Sequence, residues 1–396
     1  MTVIVVVATM VNIVFFATLE NDHPSHDIRT NHKIDNNNKI QSKNIPMDVT
    51  TRNTNRQRVI DTFQQAGIRV TDEELAELPT WDEIEQVVGT NGPILHNLQS
   101  CSAYRSRIPA VERNIGCSGM FNSGTNLVTQ LLKANCKIPE RVQAYGWEGP
   151  FHDKSGKSIG PGEAHGIRWQ VPWGKHLPAN FREDHSTKWA TQIWKESVLA
   201  VVTIRHPYPW FVSMCKNSYT AKWPHSSTPG STTGSQRRPD MCPHLRDESN
   251  PGALVPVEVK YDAHANHHDS LAHLWNDWYA QYLEQADFPY IVVRFEDLQF
   301  YAKNITYQIC ECAGGEIRTD RPFKYIVDSA KDGPGHGRKE DRTGMLAAWK
   351  RYGKPMPPQN GFGTLDYTAA VEHLNSKFMD MFGYRHPEPI SGSSKS

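Results

Sequence analysis

Val198 to Ile204 restricts the fold more than any other stretch of this chain, because it is an almost uninterrupted apolar, β-branched run with no polar face to give to water. A strand of that kind needs cover on both sides, the situation of a central strand in a parallel sheet flanked by helices. Arg205 stands at its carboxyl end. Ligands of open α/β sheets bind outside the carboxyl ends of the strands, so an Arg there is placed to take a phosphate with its planar fork. Ser213 lies eight residues on, where a following helix would bring its hydroxyl back towards the same anion.

A similar strand, loop and helix come earlier. Ile115 to Met120 reads as a buried strand, and Leu127, Val128, Leu131 and Leu132 repeat at helical spacing behind it. Gly119-Met-Phe-Asn-Ser-Gly-Thr-Asn126 joins the two. Its glycines allow a tight turn, and the amides of Ser123, Gly124, Thr125 and Asn126 would meet at a helix N-terminus, where the macrodipole favours an anion. The Gly119 to Gly124 spacing equals that of a Walker A loop, but Thr125 and Asn126 stand where Lys-Ser/Thr is required, which disfavours an ordinary ATPase or GTPase. Taken by itself, the loop also suits a plain Gly/Ser/Asn-rich turn ahead of a helix.

With three further segments, these motifs resemble the sulfotransferase superfamily, whose members transfer a sulfuryl group from 3'-phosphoadenylyl sulfate (PAPS). Asn122-Ser-Gly-Thr-Asn-Leu127 is similar to the family's 5'-phosphosulfate loop, and Lys175-His-Leu-Pro178 to the segment that carries its catalytic base. Arg205-His-Pro207 with Ser213 resembles the 3'-phosphate motif, and Val293-Arg-Phe-Glu-Asp-Leu298 the strand-end Tyr-Glu-Asp-Leu. Arg338-Lys339, followed by Trp349-Lys350, is a looser match to the late Arg-Lys-Gly loop. The matches keep the family's order from about Asn114 to Tyr352. Departures from it include Asn122 in place of a basic residue, Leu127 of Trp, Phe295 of Tyr and Glu340 of Gly.

The resemblance implies an α/β fold, a three-layer P-loop-like domain with a central, mostly parallel β-sheet flanked by helices. It implies PAPS as co-substrate, held by Asn122, Ser123, Gly124, Thr125, Asn126, Arg205, Ser213, Phe295, Arg338 and Lys339. His176 would be the general base, and Lys175 is the candidate to supply the charge missing at Asn122. The acceptor would be a hydroxyl, most simply on a carbohydrate. Sulfuryl transfer resembles phosphoryl transfer in leaving the protein mainly positioning and charge stabilisation to perform. An imidazole suits the base because its ordinary pKa lies near neutrality. For Arg338 and Lys339 a solvated surface pair is the competing reading, and for Phe295 core packing. Two other functions stay open: a nucleotide-dependent kinase or NTPase of related fold, and a protein that binds a nucleotide or glycan without turnover.

The 396 residues accommodate a leader, a stem and one large domain. Residues 1–19 carry an apolar run that reads as a signal anchor or a signal peptide, and 20–58 as a disordered stem. Residues 59–110 suggest a small helical cap, with Thr71-Asp-Glu-Glu74 as a helix start. The α/β domain would fill 111–386, interrupted by an inserted loop at 222–262, with a flexible tail at 387–396. This order fits a membrane-bound Golgi or secreted protein, contacting the membrane through the N-terminal segment where it is uncleaved. Asn304-Ile-Thr306 is a glycosylation sequon.

Lys plus Arg equals Asp plus Glu at 43 each, which gives no support to a nucleic-acid partner. Seven cysteines leave at least one unpaired within the chain, and no spacing dictates their pairing. His264, His267, His268 and His273 gather before or within a helix but lack a carboxylate motif, and no metal is expected. Trp147, Trp169, Trp173, Trp189 and Trp194 crowd the region between the phosphate motifs, suited to core packing or to stacking on sugars. Leu271 to Tyr282 carries an apolar helical stripe, Pro289 to Val293 reads as a strand and Glu372 to Phe382 as a closing helix.

Overall fold

The structure, a computed structural model, describes residues 49–146, 165–183, 194–223, 243–247, 249–261, 264–331, 343–355 and 362–388. The apolar N-terminal segment, Trp147, Trp189, most of the inserted loop, and Arg338 and Lys339 lie outside the described residues. The strands, in chain order, are β1 (Leu95–His96), β2 (Asn114–Gly119), β3 (Cys136–Lys137), β4 (Ile167–Arg168) and β5 (Val198–Ile204). Then come β6 (Ala221–Lys222), β7 (Val257–Tyr261), β8 (His264–His268), β9 (Tyr290–Arg294) and β10 (Glu316–Ile317).

Five of these form the central sheet, in the order β1-β9-β5-β2-β4. β2 runs parallel to β4 and β5, β5 runs parallel to β9, and only the edge strand β1 is antiparallel. The fold is therefore α/β with a mixed, mostly parallel sheet. β5 is buried along its whole length, and its side chains divide between two cores. Val198, Ala200, Val202 and Ile204 pack with helices Pro207–Lys216, Leu271–Leu283 and Thr364–His373. Leu199 and Val201 face Thr125–Asn135 and Ala302–Cys312 on the other side. Cover on both faces is what an all-apolar strand demands.

Residues 59–110 do not stand apart from this domain. Val59, Phe63, Trp81 and Ile84 share a third core with Phe300, Met345 and Trp349, and the same segment supplies β1. Its helices start on capping boxes, Thr71 with Glu74 as expected and Thr80 with Glu83 besides. Disulfides Cys101–Cys312 and Cys136–Cys310 fix the end of helix Ala302–Cys312 to helix Ser100–Arg107 and to β3, and Cys215 is also disulfide-bonded.

The histidines lie just before and within helix Leu271–Leu283 as expected, with His264–His268 forming strand β8 against β7. Two sequence expectations are corrected. The tail of the inserted segment, expected as loop, supplies β7. The closing helix is two, Thr364–His373 and Ser376–Met381, broken where the Asn375 side chain caps the second. Among the described residues no helix is long and apolar enough to cross a membrane.

What matters for function is the order of connections. From β2 the chain goes on to β4 on one side, and from β5 to β9 on the other. The carboxyl ends of β2 and β5 therefore flank a topological switch point, where α/β sheets open a crevice.

Candidate functional site

β2 and β5 end in register, with Gly119 opposite Thr203. The loop leaving β2 turns so tightly that a Cβ at Gly119 would sit 2.2 Å from Thr203 Oγ1. At Gly124 the backbone is left-handed, φ 97°, and a Cβ would sit 2.5 Å from Phe295. Helix Thr125–Asn135 starts directly after it with no side-chain cap, so the amides of Gly124, Thr125 and Asn126 have no acceptor among the described residues. Those amides form the positive end of an eleven-residue helix. Ser123 has a different task. Its amide donates to Met120 O and its hydroxyl lies 2.7 Å from both Met120 O and Thr203 Oγ1, so it closes the turn.

Three cations touch this loop. Lys175 Nζ donates to Asn126 Oδ1 and lies 3.5 Å from the centre of the Trp169 ring. Arg205 Nη1 donates to Asn122 O at 2.9 Å, and Lys331 Nζ reaches Asn122 Oδ1 at 3.3 Å. No carboxylate forms a salt bridge with any of the three among the described residues. Arg205 is 4% exposed, and its Nε and Nη2 have no well-formed hydrogen bond among the described residues, although the Tyr352 hydroxyl lies close enough to interact with the guanidinium. The buried Glu296 carboxylate feels the Arg205 charge but makes no ion pair with it, and a buried guanidinium with no anion in contact costs roughly several kcal/mol, which points to a ligand.

The surroundings tune these groups. Burial pulls the Lys175 ammonium down to about 8, with Lys133 adding to the shift and Cys117 opposing it. Burial and the neighbouring Arg205 charge lower Lys331. Arg205 lies over the rings of Phe295 and Tyr352, 4.6 and 5.1 Å from their centres. Burial alone would raise the Tyr352 phenol, yet the charges of Arg205, Arg351 and Lys331 bring it below its ordinary value.

His176 follows Lys175 and places Nδ1 2.7 Å from Gly119 O. A carbonyl only accepts, so Nδ1 carries the hydrogen and Nε2 of the neutral ring carries the lone pair. The imidazole packs 4.8 Å from the Phe121 ring. Three buried indoles hold the main chain of this region. Trp210 Nε1 donates to Phe121 O, Trp275 Nε1 to Arg205 O and Trp278 Nε1 to His176 O, at 2.7, 3.1 and 3.0 Å.

The structure brings together Gly124, Thr125, Asn126, Lys175, His176, Arg205 and Phe295 around the two strand ends. Asn122 belongs to the loop, but its amide group turns away to Asn217 O at 2.9 Å and Ser213 O at 3.3 Å. Ser213 directs its hydroxyl to Pro209 O within its own helix, so it must rotate to serve an anion. Trp173 is core, donating to Tyr282 OH, and only Trp169 of the described tryptophans in that stretch meets a site residue. Sequence reasoning missed Lys331 and Tyr352. The one available signal for Lys331 was a cation two residues ahead of the Gly-rich stretch 333–337. No cluster of three or more metal-ligating side chains is present among the described residues. Comparison of the chain with protein-family models, curated proteins and solved structures returns no match.

Proposed function

We propose that the chain is a PAPS-dependent sulfotransferase with a P-loop-like domain, acting on a hydroxyl acceptor, most simply a carbohydrate. The observation that carries this reading is Arg205: a buried guanidinium with two nitrogens that have no well-formed hydrogen bond among the described residues, beside unsatisfied helix amides at a switch point. A nucleotide with phosphates at both ends of its ribose would answer both sets of donors. Arg205 would take the 3'-phosphate, and the amides of Gly124, Thr125 and Asn126 with Lys175 the 5'-phosphosulfate.

In the reaction, His176 Nε2 takes the proton of the acceptor hydroxyl as its oxygen bonds to sulfur. The bond from sulfur to the bridging oxygen breaks, and its electron pair leaves on the 5'-phosphate of adenosine 3',5'-bisphosphate. Loop amides and Lys175 receive the charge that develops there. Disulfides and the sequon at Asn304, exposed on its helix, support a secretory-pathway location, with Golgi membrane or secretion as its two forms.

Calorimetric titration with adenosine 3',5'-bisphosphate and with ATP tests the reading. Binding of the bisphosphate is expected, and Arg205→Ala should weaken it about 10- to 100-fold while leaving adenosine 5'-monophosphate much less affected. Preference for ATP would favour a kinase instead. Labelled PAPS then tests transfer: His176→Ala should keep the bisphosphate affinity and lose roughly 10²- to 10⁴-fold in turnover. Bisphosphate binding without transfer to any glycan would favour a binding protein.

A further inference from the structure

Asn122 occupies the position where the loop would otherwise carry its own cation, and its side chain explains what replaces it. Nδ2 is tied to Ser213 O and Asn217 O at the end of helix Pro207–Lys216, while Oδ1 faces the Lys331 ammonium at 3.3 Å. The main-chain oxygen of the same residue accepts from Arg205 at 2.9 Å. One residue thus holds two cations, one on its side chain and one on its backbone. Lys331 is reached from 209 residues away in sequence, so nothing in the loop itself requires it to be there. It senses the charges of Arg205 and Tyr352, the pair at the end of β5, whereas Lys175 lies at Asn126, four residues further round the loop.

We propose that Asn122 and Lys331 act as a unit, in which Asn122 brackets the Lys331 ammonium beside Arg205 so that the two cations together receive one dianionic phosphate monoester. Asn122 is the positioning residue, Lys331 the ligand-binding one, and Tyr352 lends its hydroxyl to the same anion. Two cations held on one residue, neither in an ion pair among the described residues, repel until an anion arrives, which favours a dianion over a singly charged group. The proposal rests on the sulfotransferase reading for the identity of that anion, the 3'-phosphate of the nucleotide.

The test is a double-mutant cycle read by calorimetry. Lys331→Met removes the charge, and Asn122→Gly removes the bracket while keeping the left-handed backbone, φ 61° at this position. Each should lower affinity for adenosine 3',5'-bisphosphate by about 10- to 100-fold and that for adenosine 5'-monophosphate by less than about threefold. The double variant should be no weaker than the weaker single, since a released Lys331 is already lost to the site. Three results would overturn the unit: Lys331→Met binding the bisphosphate like the parent, equal losses for both nucleotides, or single effects that multiply. Circular dichroism of each variant separates these from misfolding, and Lys331→Arg, which should recover most of the affinity, supplies a second check. A parent chain that takes ATP rather than the bisphosphate, with that binding lost in Lys331→Met, would sink the sulfotransferase reading and keep the two-cation clamp. ATP binding indifferent to Lys331, or binding of neither nucleotide, would overturn the clamp.

Discussion

An ammonium poised near its own pKa makes anion binding sensitive to pH, and Lys175 is in that position at about 8. Below that value it is charged and attracts a phosphate; above it the neutral amine does not. Affinity for adenosine 3',5'-bisphosphate should therefore fall between pH 7 and 9.5, with proton uptake on binding, as calorimetry in buffers of different ionisation enthalpy would show. Lys175→Arg should flatten that limb, because a guanidinium stays protonated throughout. A profile that falls equally in both proteins would remove Lys175 from the site. The place of Arg205 was legible in the sequence because a strand end fixed it, whereas His176 was picked out by its Leu-Pro context and lies on a bend rather than at a strand end. Side-chain direction was not legible. Spacing put Asn122 and Ser123 in the loop but could not show that one turns to helix Pro207–Lys216 and the other to Thr203. Lys331 and Tyr352 reach the loop only through the tertiary fold, which no local pattern records.

Helices Pro207–Lys216 and Leu271–Leu283 do more than cover the sheet, since their indoles hold the carbonyls of Phe121, Arg205 and His176. Trp275→Phe keeps most of the buried ring and deletes one donor. It should cost about 1–3 kcal/mol in urea denaturation, the usual penalty for a buried acceptor left unmatched. The bisphosphate should bind more weakly as Arg205 loosens, and unchanged binding would show that the indole only fills space. Long apolar elements such as β5 and helix Leu271–Leu283 were readable because burial leaves a period or a run. β1 and β4, two residues each, have room for neither. The break after His373 has no Gly or Pro to mark it.

Across the whole molecule, one buried ion pair joins distant parts. Arg294 binds Asp297 through Nε at 2.7 Å and also donates to Val88 O and Phe382 O, at 2.7 and 2.9 Å. The N-terminal helices, the sheet and the C-terminal helix therefore meet at a single guanidinium. Burial already pushes the Asp297 carboxyl up, and Arg294 opposes that shift. Arg294→Leu should destabilise by roughly 3–5 kcal/mol at pH 7, the cost of leaving a buried charge alone. Without its partner Asp297 has a folded pKa further above its unfolded one, so protonation favours the folded state. The deficit should shrink as pH falls from 7 to 5 in parallel urea titrations, and a deficit that does not change with pH would deny Asp297 that part.

Both described disulfides depend on a partner made late. Cys101 waits for Cys312 across 211 residues and Cys136 for Cys310 across 174. At a synthesis rate of about 5–20 residues per second, the first of these thiols is exposed for roughly 10–40 s before its partner exists. Until Cys310 is made, Cys101 and Cys136 can pair only with each other or with Cys117, Cys215 or Cys242. Correct cross-linking therefore waits until at least 312 of the 396 residues are made, and an isomerase that undoes early mispairs should speed it.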